Sequence, residues 1–425
     1  MNDWNRRRFV QALGVGAVAG VVPGPARGAF DPLRSNGRRV VVVGGGFGGT
    51  IAAKIVRMDD PKAEVVLINR ETIYTACPAS NLVLSGIRTI DQNRIGYGKL
   101  KENHGIVFMH EDVTSIDPAN KTVTGPTGSM AYDHLILSPG IDFRFEDIAG
   151  YDPVKTPLVM PHAWKAGEQT LLLRRQLEAM PDGGTFVITI PPMPFRAPGG
   201  PYERICMVAS YFKRAKPNAK IIALDANPDI VMKGDLFRLA WDKRYPGMVD
   251  YRPSQRVTRV NPEVMSVVTA AGVEVKGDVV NVIPPQMAGS IARLGGLAGA
   301  DQRWCPVNPT TFESTQVPGI YVIGDACVAD PMPKTGFSAN AQAKVCALNL
   351  VASLNKKKLI DPSSANVTYS WVSDAEAIST VAVYRVRNGR IEEVPGSGGA
   401  SAGLSETESI MGLGWMDNIL KEMST

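Results

Sequence analysis

The segment Val40–Val56, VVVVGGGFGGTIAAKIV, constrains the fold of this chain more than any other stretch. Four β-branched residues in succession suit a strand buried on both faces, as in a parallel sheet. Glycines then fall at Gly44, Gly46 and Gly49, and an apolar pattern of helical spacing follows. Strand, G-x-G-x-x-G turn and helix in that order form a dinucleotide-binding fingerprint. Gly44 permits the tight turn, Gly46 lets a pyrophosphate approach the backbone, and Gly49 lets helix and strand pack closely. The helix N-terminus offers its free N–H groups and positive dipole end to the phosphates. Phe47, inside the turn, joins these glycines as a candidate cofactor contact. The next strand expected, Ala63–Asn69, ends where such sites place an acid for the ribose hydroxyls. Asn69 stands there instead, an amide without charge, followed by Arg70 and Glu71. Asn69 and Arg70 are candidate contacts, and Glu71 is a second possibility for the ribose.

The fingerprint alone does not separate FAD from NAD. Far downstream the apolar run IYVIGD ends on Gly324-Asp325, and a helical pattern runs from about Ser338 through Val351. In flavoproteins with two dinucleotide domains, an Asp at this turn bonds the ribityl chain, and the next helix N-terminus faces the flavin pyrimidine. Its dipole favours the anionic reduced ring. Asp325, Lys334 and Gly336 are the candidates here. Lys334 is also a candidate catalytic group, able to favour reduced flavin electrostatically. Tyr132–Gly140, YDHLILSPG, reads as the strand and turn closing the first segment, with Gly140 at the turn. Three motifs in this order, split by a central insertion, favour FAD.

The insertion bears on the electron donor. A nicotinamide-using chain repeats the glycine turn after the strand GTFVITI, but this one continues PPMPFRAPGGPYER. Pro191 and Pro192 have no N–H to offer a pyrophosphate and fix φ near about −65°. A Rossmann-like unit remains, since AKIIALDANPD supplies its next strand, but it reads as disabled for NAD(P)H. Glu203, in GPYER, is a candidate catalytic base; an acid in the first turn of a helix also has a purely structural use.

The first residues carry a different message. NRRRF precedes the apolar run VQALGVGAVAGVV and the small residues GPARGA, the layout of a Tat-type export signal with paired arginines. Four arginines and one aspartate in residues 1–29 supply +3 of the chain's formal +5, so the remainder carries only +2. Nucleic acid is not an expected partner. No later run reaches about 18 apolar residues, so no transmembrane segment is expected. The five cysteines are an odd number, and neither a haem-attachment motif nor a zinc-like spacing occurs, so no metal site is expected.

Taken together, these strings resemble the flavoprotein subunit of flavocytochrome c sulfide dehydrogenase, an FAD enzyme of the pyridine nucleotide-disulfide oxidoreductase superfamily. The resemblance is carried by GGGFGG, YTACPASNLVL, PPMPFRAPGGPYER, NVIPPQMAG, RWCPVNPTTFEST, IGDACVADPMPKTGFSANAQAK and GLGWMDNILKEM. It implies a periplasmic flavoprotein that oxidises a small sulfur-containing donor and passes electrons to a c-type cytochrome subunit. It also implies FAD held covalently through Cys77, which lies in the string where that family has its flavin-bonding cysteine. The family places a redox disulfide over the flavin, and at the matching positions this chain has Ala197 and Thr368. Neither accepts a sulfur. Cys206 and Cys346 are the candidates for a substitute pair, with buried core thiols as the alternative. Cys305 and Cys327 read as loop or flavin-floor packing.

The expected fold is α/β, with two Rossmann-like dinucleotide-binding domains arranged as in glutathione reductase and a C-terminal α+β tail domain. Its parts are the signal (1–29), the first FAD segment (30–150), the central domain (151–285), the second FAD segment (286–355) and the C-terminal domain (356–425). The tail is expected to hold two strands around an Asn-Gly turn. A helix should follow whose apolar face is Met411, Trp415, Ile419 and Leu420. Three functions remain open. One is a dehydrogenase reducing a separate cytochrome c. Another is a sulfide:quinone reductase-like flavoenzyme at a membrane surface. The third is a flavin-carrying electron-transfer subunit without substrate chemistry.

Overall fold

The computed structural model describes residue 33 and residues 35–425. The expected export signal, residues 1–29, lies outside them.

The β-branched run Arg39–Val43 is buried at every position. It lies between two parallel neighbours, Glu64–Asn69 on one side and His134–Leu137 on the other. Val107–His110 extends the sheet beyond the first neighbour and Ile320–Val322 beyond the second. A five-stranded parallel sheet thus joins residues from both ends of the chain. The helix Gly49–Asp59, which leaves the fingerprint turn, packs on the helix Gly336–Leu354 from the second segment. That pairing brings the Gly44–Gly49 turn beside the Gly324-Asp325 turn.

The central insertion builds its own parallel sheet, ordered Val249–Arg252, Lys220–Asp225, Thr185–Ile190 and Val279–Val282. The helix Gly200–Ala215 connects two of these strands and buries almost all of its length. A short antiparallel ribbon, Ile141–Phe143 with Gln286–Ala288, marks where the chain leaves and re-enters the first sheet's domain.

The C-terminal region is antiparallel. Ser363–Trp371 pairs with Ala377–Arg387, which also pairs with Arg390–Glu393 and Gly399–Ala400. The expected Asn-Gly turn is present: Asn388 and Gly389 have φ of 51° and 72°, the left-handed pair a two-residue type I′ hairpin requires. The tail helix Glu406–Ser424 starts with a Ser405 hydroxyl accepting from the Glu408 N–H. Of the expected face, Ile419 and Leu420 are buried and Trp415 is half-buried against Phe337, and only Met411 is corrected. Gly412, Met416, Ile419, Leu420 and Met423 face inward, whereas Met411 is 56% exposed. The i, i+4, i+7/i+8, i+11 spacing runs from Gly412, because a side chain at 412 would collide with Trp371 (2.9 Å from an ideal Cβ). Each large residue of that stripe contributes about 1.5–3 kcal/mol by leaving water.

Candidate functional site

The fingerprint turn has the close contacts its glycines predict. An ideal Cβ on Gly44, whose φ is +105°, would lie 2.2 Å from the Ser138 carbonyl oxygen. One on Gly49 would lie 1.8 Å from the Gly44 carbonyl oxygen. Gly46 differs: its Cβ would meet nothing nearer than the Tyr74 hydroxyl at 3.4 Å. At Gly46 the turn is thus in ordinary contact with the Tyr74 side chain alone. Asn69 serves the turn itself. Its Oδ1 accepts from the Gly45 N–H (2.9 Å), and its Nδ2 donates to the Glu71 carbonyl (2.9 Å) and the Tyr97 hydroxyl (3.1 Å). Arg70 is exposed and lies 3.8 Å from Asp112.

The second turn faces the first. Gly324 adopts φ +75°, and its N–H donates to Gln342 Oε1 (2.8 Å). Asp325 Oδ1 is buried with no hydrogen-bond partner, while Oδ2 lies 4.0 Å from the Arg196 guanidinium. Burial raises the Asp325 carboxyl above its ordinary range, against the opposing pull of Arg196 and Lys334. The Lys334 ammonium donates to the Asp325 and Cys327 carbonyls (2.9 and 2.6 Å) and lies 4.0 Å from the centre of the Trp304 ring. It therefore braces the turn from behind. Gly336 opens the long helix against Phe47, whose ring would stand 3.1 Å from a Cβ there. Gly140 (φ +67°) accepts from the Gly289 N–H. An orphaned carboxylate oxygen beside a glycine turn at a helix N-terminus fits FAD, whose ribityl hydroxyls and pyrophosphate need such partners.

An open cavity of about 880 Å³ lies beside these turns, lined by all three parts of the chain. The first FAD segment contributes Cys77, whose Sγ lies 3.6 Å from the Trp164 carbonyl oxygen. The central domain contributes Ala197, Glu203 and Lys233; the C-terminal strand contributes Thr368 and Ser370. Ala197 and Thr368 thus share one cavity. Glu203 is 6% exposed and accepts from Asn81 Nδ2 (2.9 Å). Burial pushes its carboxyl up to about 7, against the Asn81 bond, Lys233 and Arg204. Burial likewise brings the Lys233 ammonium down to about 8, with Glu203 and Glu408 acting the other way. The neighbouring Arg204 donates to Asn81, Asn281 and the carbonyls of His162 and Ala163. Lys233 carries no motif signal, and sequence reading missed it.

The central domain's nucleotide position is closed from within. Asp225, at the end of its second strand, would be the ribose acid of a nicotinamide site. It is fully buried and accepts from the hydroxyls of Tyr202 (2.6 Å) and Tyr251 (2.9 Å) and from Asn227. The loop 191–199, in place of a glycine turn, is pinned by Asn227 to Pro191 and Met193 and then turns to the flavin side. There the Ala197 N–H donates to the Lys334 carbonyl (2.8 Å).

No two of the five cysteines are joined by a disulfide. Cys206 lies beside Trp241 and Tyr245 in the central domain, and Cys346 beside Cys327 in the FAD domain. The structure does not join the substitute pair: Cys206 and Cys346 are buried among different neighbours and form no bridge. Cys305 and Cys327 face one another on adjacent extended segments, and burial pushes both thiols up to about 12. Among the described residues, no cluster of His, Cys, Asp and Glu suits a metal, and no helix is long and apolar enough to cross a membrane.

Three family models cover most of the described chain. Residues 38–167 match the pyridine nucleotide-disulphide oxidoreductases. Residues 170–284 match the central part of the sulfide dehydrogenase [flavocytochrome c] flavoprotein chain, and residues 360–423 match the flavin-binding part of flavocytochrome c sulphide dehydrogenase. The chain is 52% identical over 46 residues to a flavocytochrome c sulfide dehydrogenase flavoprotein chain from Chlorobaculum thiosulfatiphilum, covering 96% of that sequence and 11% of this one. It is 32% identical over 104 residues to sulfide-quinone reductase of Aquifex aeolicus, a match spanning only 24% of either chain. The crystal structure of the Aquifex aeolicus sulfide:quinone oxidoreductase superposes with a TM-score of 0.74 over 91% of both chains, at 19% identity. That likeness establishes the shared fold. The matches to two flavocytochrome-specific models, on either side of the second FAD segment, and to nearly all of the Chlorobaculum sequence settle the lineage. The chain belongs to the flavoprotein-chain family of flavocytochrome c sulfide dehydrogenase, a flavin-dependent oxidoreductase family within the pyridine nucleotide-disulphide oxidoreductase superfamily.

Proposed function

We propose that this protein is a periplasmic FAD-dependent dehydrogenase, exported folded by the Tat pathway. In this reading it oxidises a small sulfur-containing donor and delivers the electrons to a c-type cytochrome subunit. The observation that carries the proposal is the cavity in which Cys77, Glu203 and Lys233 meet beside the two FAD turns. Bound FAD supplies the two-electron redox chemistry. Gly44, Gly46 and Gly49 hold its pyrophosphate against the helix end, with Phe47 beside them. Asp325 Oδ1 takes a ribityl hydroxyl, and the helix opened by Gly336 directs its positive end at the ring. Lys334 keeps the Asp325 turn in place. Cys77 tethers the cofactor covalently, which retains it in a protein working outside the cytoplasm.

Glu203 acts on the donor. A carboxyl titrating near pH 7 is matched to taking a proton from a thiol at neutral pH. Ala197 and Thr368, at the positions where the family resemblance puts the redox cysteines, both line the cavity. Donor sulfur is therefore not captured by the protein as a disulfide above the ring. The quinone-reducing alternative draws its support from Ile410 and Met411, 72% and 56% exposed on the tail helix. Anaerobic stopped-flow reduction of the bound flavin by sulfide, polysulfide, thiosulfate and an organic thiol tests the dehydrogenase. Reduction by none of them leaves an electron-transfer subunit. Turnover with cytochrome c against a soluble quinone then separates the two acceptors.

A further inference from the structure

Lys233 is placed at some cost for a purely structural residue. Its backbone is left-handed (φ +59°) at the N-cap of the helix Gly234–Arg244, a conformation disfavoured for side chains other than glycine and asparagine. The strain sits at a cavity wall, where strained residues cluster when the geometry serves a site. The ammonium donates to Ser370 Oγ (2.9 Å) and, at the longer distance of 3.3 Å, to both Thr368 Oγ1 and the Thr368 carbonyl. Its three N–H groups thus meet three acceptors, and the two contacts at 3.3 Å are the weak ones that a bound anion displaces. Of the other two cations of the lining, Arg204 donates to four acceptors, and Arg196 donates to the Trp164 carbonyl and lies 4.0 Å from Asp325. Lys233 Nζ also lies 3.8 Å from an ideal Cβ on Gly199, the N-cap of the helix Gly200–Ala215. Charge and helix dipole therefore add at one point.

The same cavity has an aromatic wall. Phe337 and Trp415 stack at 6.0 Å with 16° between their planes, and Tyr369 lies 6.3 Å from Trp415. All three line the cavity. Hydrogen sulfide has no carbon body to use such a wall.

We propose that Lys233 reads the charge of the donor, and that the donor is an organic thiol held as its thiolate at Lys233 with its hydrocarbon body on the Phe337–Trp415–Tyr369 wall. The proposal rests on the dehydrogenase reading above. On binding, the S–H bond breaks, its proton passes to the Glu203 carboxylate, and the bonding pair stays on sulfur as the charge that the ammonium balances. No redox change belongs to this step.

The test separates binding from turnover by using phenylacetate, a stable anion shaped like the thiolate of phenylmethanethiol, and its neutral amide, phenylacetamide. Titrated into the FAD-loaded protein and followed by calorimetry and by the flavin spectrum, phenylacetate should bind at least tenfold more tightly than the amide. Lys233→Met should abolish that preference while leaving amide affinity unchanged. Trp415→Ala should weaken both ligands, and acetate should bind at least tenfold more weakly than phenylacetate. A strut between domains would move both ligands together, so an unchanged anion preference in Lys233→Met overturns the proposal. If that variant does not fold, Lys233→Gln takes its place, and equal affinities in the unmodified protein overturn the proposal without any variant. Faster flavin reduction by sulfide than by phenylmethanethiol also overturns it. Phenylacetate binding without flavin reduction by any donor would sink the dehydrogenase reading and leave the anion site standing.

Discussion

Glu203→Gln replaces the buried carboxyl by an isostere that still accepts from Asn81. The carboxyl rises from an ordinary 4.5 to about 7 in the folded protein, a difference equivalent to about 3 kcal/mol. The folded state therefore holds this proton more tightly than the unfolded chain does. Its contribution is fully present below pH 4.5, falls as pH rises toward about 7, and stays lost above. Lys233, brought down to about 8, keeps its charge to about pH 7 and loses part of it by pH 8. Urea denaturation of both proteins at pH 5 and pH 8 should show the stability difference between them changing by up to about 3 kcal/mol, with the variant gaining on the wild type as pH rises. The same substitution should slow flavin reduction by a thiol about 100-fold and remove the rising limb of its pH profile near 7. Stability curves that run parallel between pH 5 and 8 would refute the buried-carboxylate argument. A wild-type rate already flat from pH 5 to 8 would remove Glu203 from the chemistry.

The remaining expectations concern the cofactor, the reductant and the missing sulfur pair. Acid precipitation should carry yellow flavin down with the unmodified protein, and Cys77→Ser should release it as free FAD into the supernatant. NADH and NADPH should leave the flavin oxidised in anaerobic stopped-flow, because Asp225 is already bonded by Tyr202 and Tyr251; rapid bleaching by either would reverse the reading of the central domain. Ala197→Cys combined with Thr368→Cys should form a disulfide, provided the Cα atoms lie within about 4.4–6.8 Å. The double variant should then gain sulfide-dependent flavin reduction that neither single variant shows, and a double variant with two free thiols by mass spectrometry would break the residue matching.

The fingerprint turn was legible because its glycines answer to sterics that spacing alone records: Gly49 must lack a Cβ whatever else surrounds it. The Asn388-Gly389 hairpin was legible for the same reason, since two consecutive left-handed residues leave little choice of sequence. The tail helix shows the limit. Its period was readable, but the phase was set by Trp371 pressing on Gly412, a contact between distant parts of the chain. Lys233 lay further out of reach. Its role follows from a left-handed cap meeting a strand more than a hundred residues away, at Thr368 and Ser370. Lys334 carries a related lesson, because its charge was readable while its direction, toward the carbonyls behind the turn, depended on Trp304. Pro191 and Pro192 announced a lost nucleotide turn, but the two tyrosines closing Asp225 became visible only in the folded sheet.

Those tyrosines make the central domain's state hard to reverse. Removing Tyr202 alone leaves a buried carboxylate short of a donor before any ribose stands ready to replace it. Restoring glycines at 191 and 192 alone opens a phosphate cradle beside an acid that is still occupied. Each single step therefore passes through a protein less stable than the starting one, with no ligand to compensate. The arrangement works as a ratchet, turning easily away from nicotinamide and stiffly back. In the proposed function, a flavoprotein locked in this way is set apart from nicotinamide reductants by many small interactions acting together.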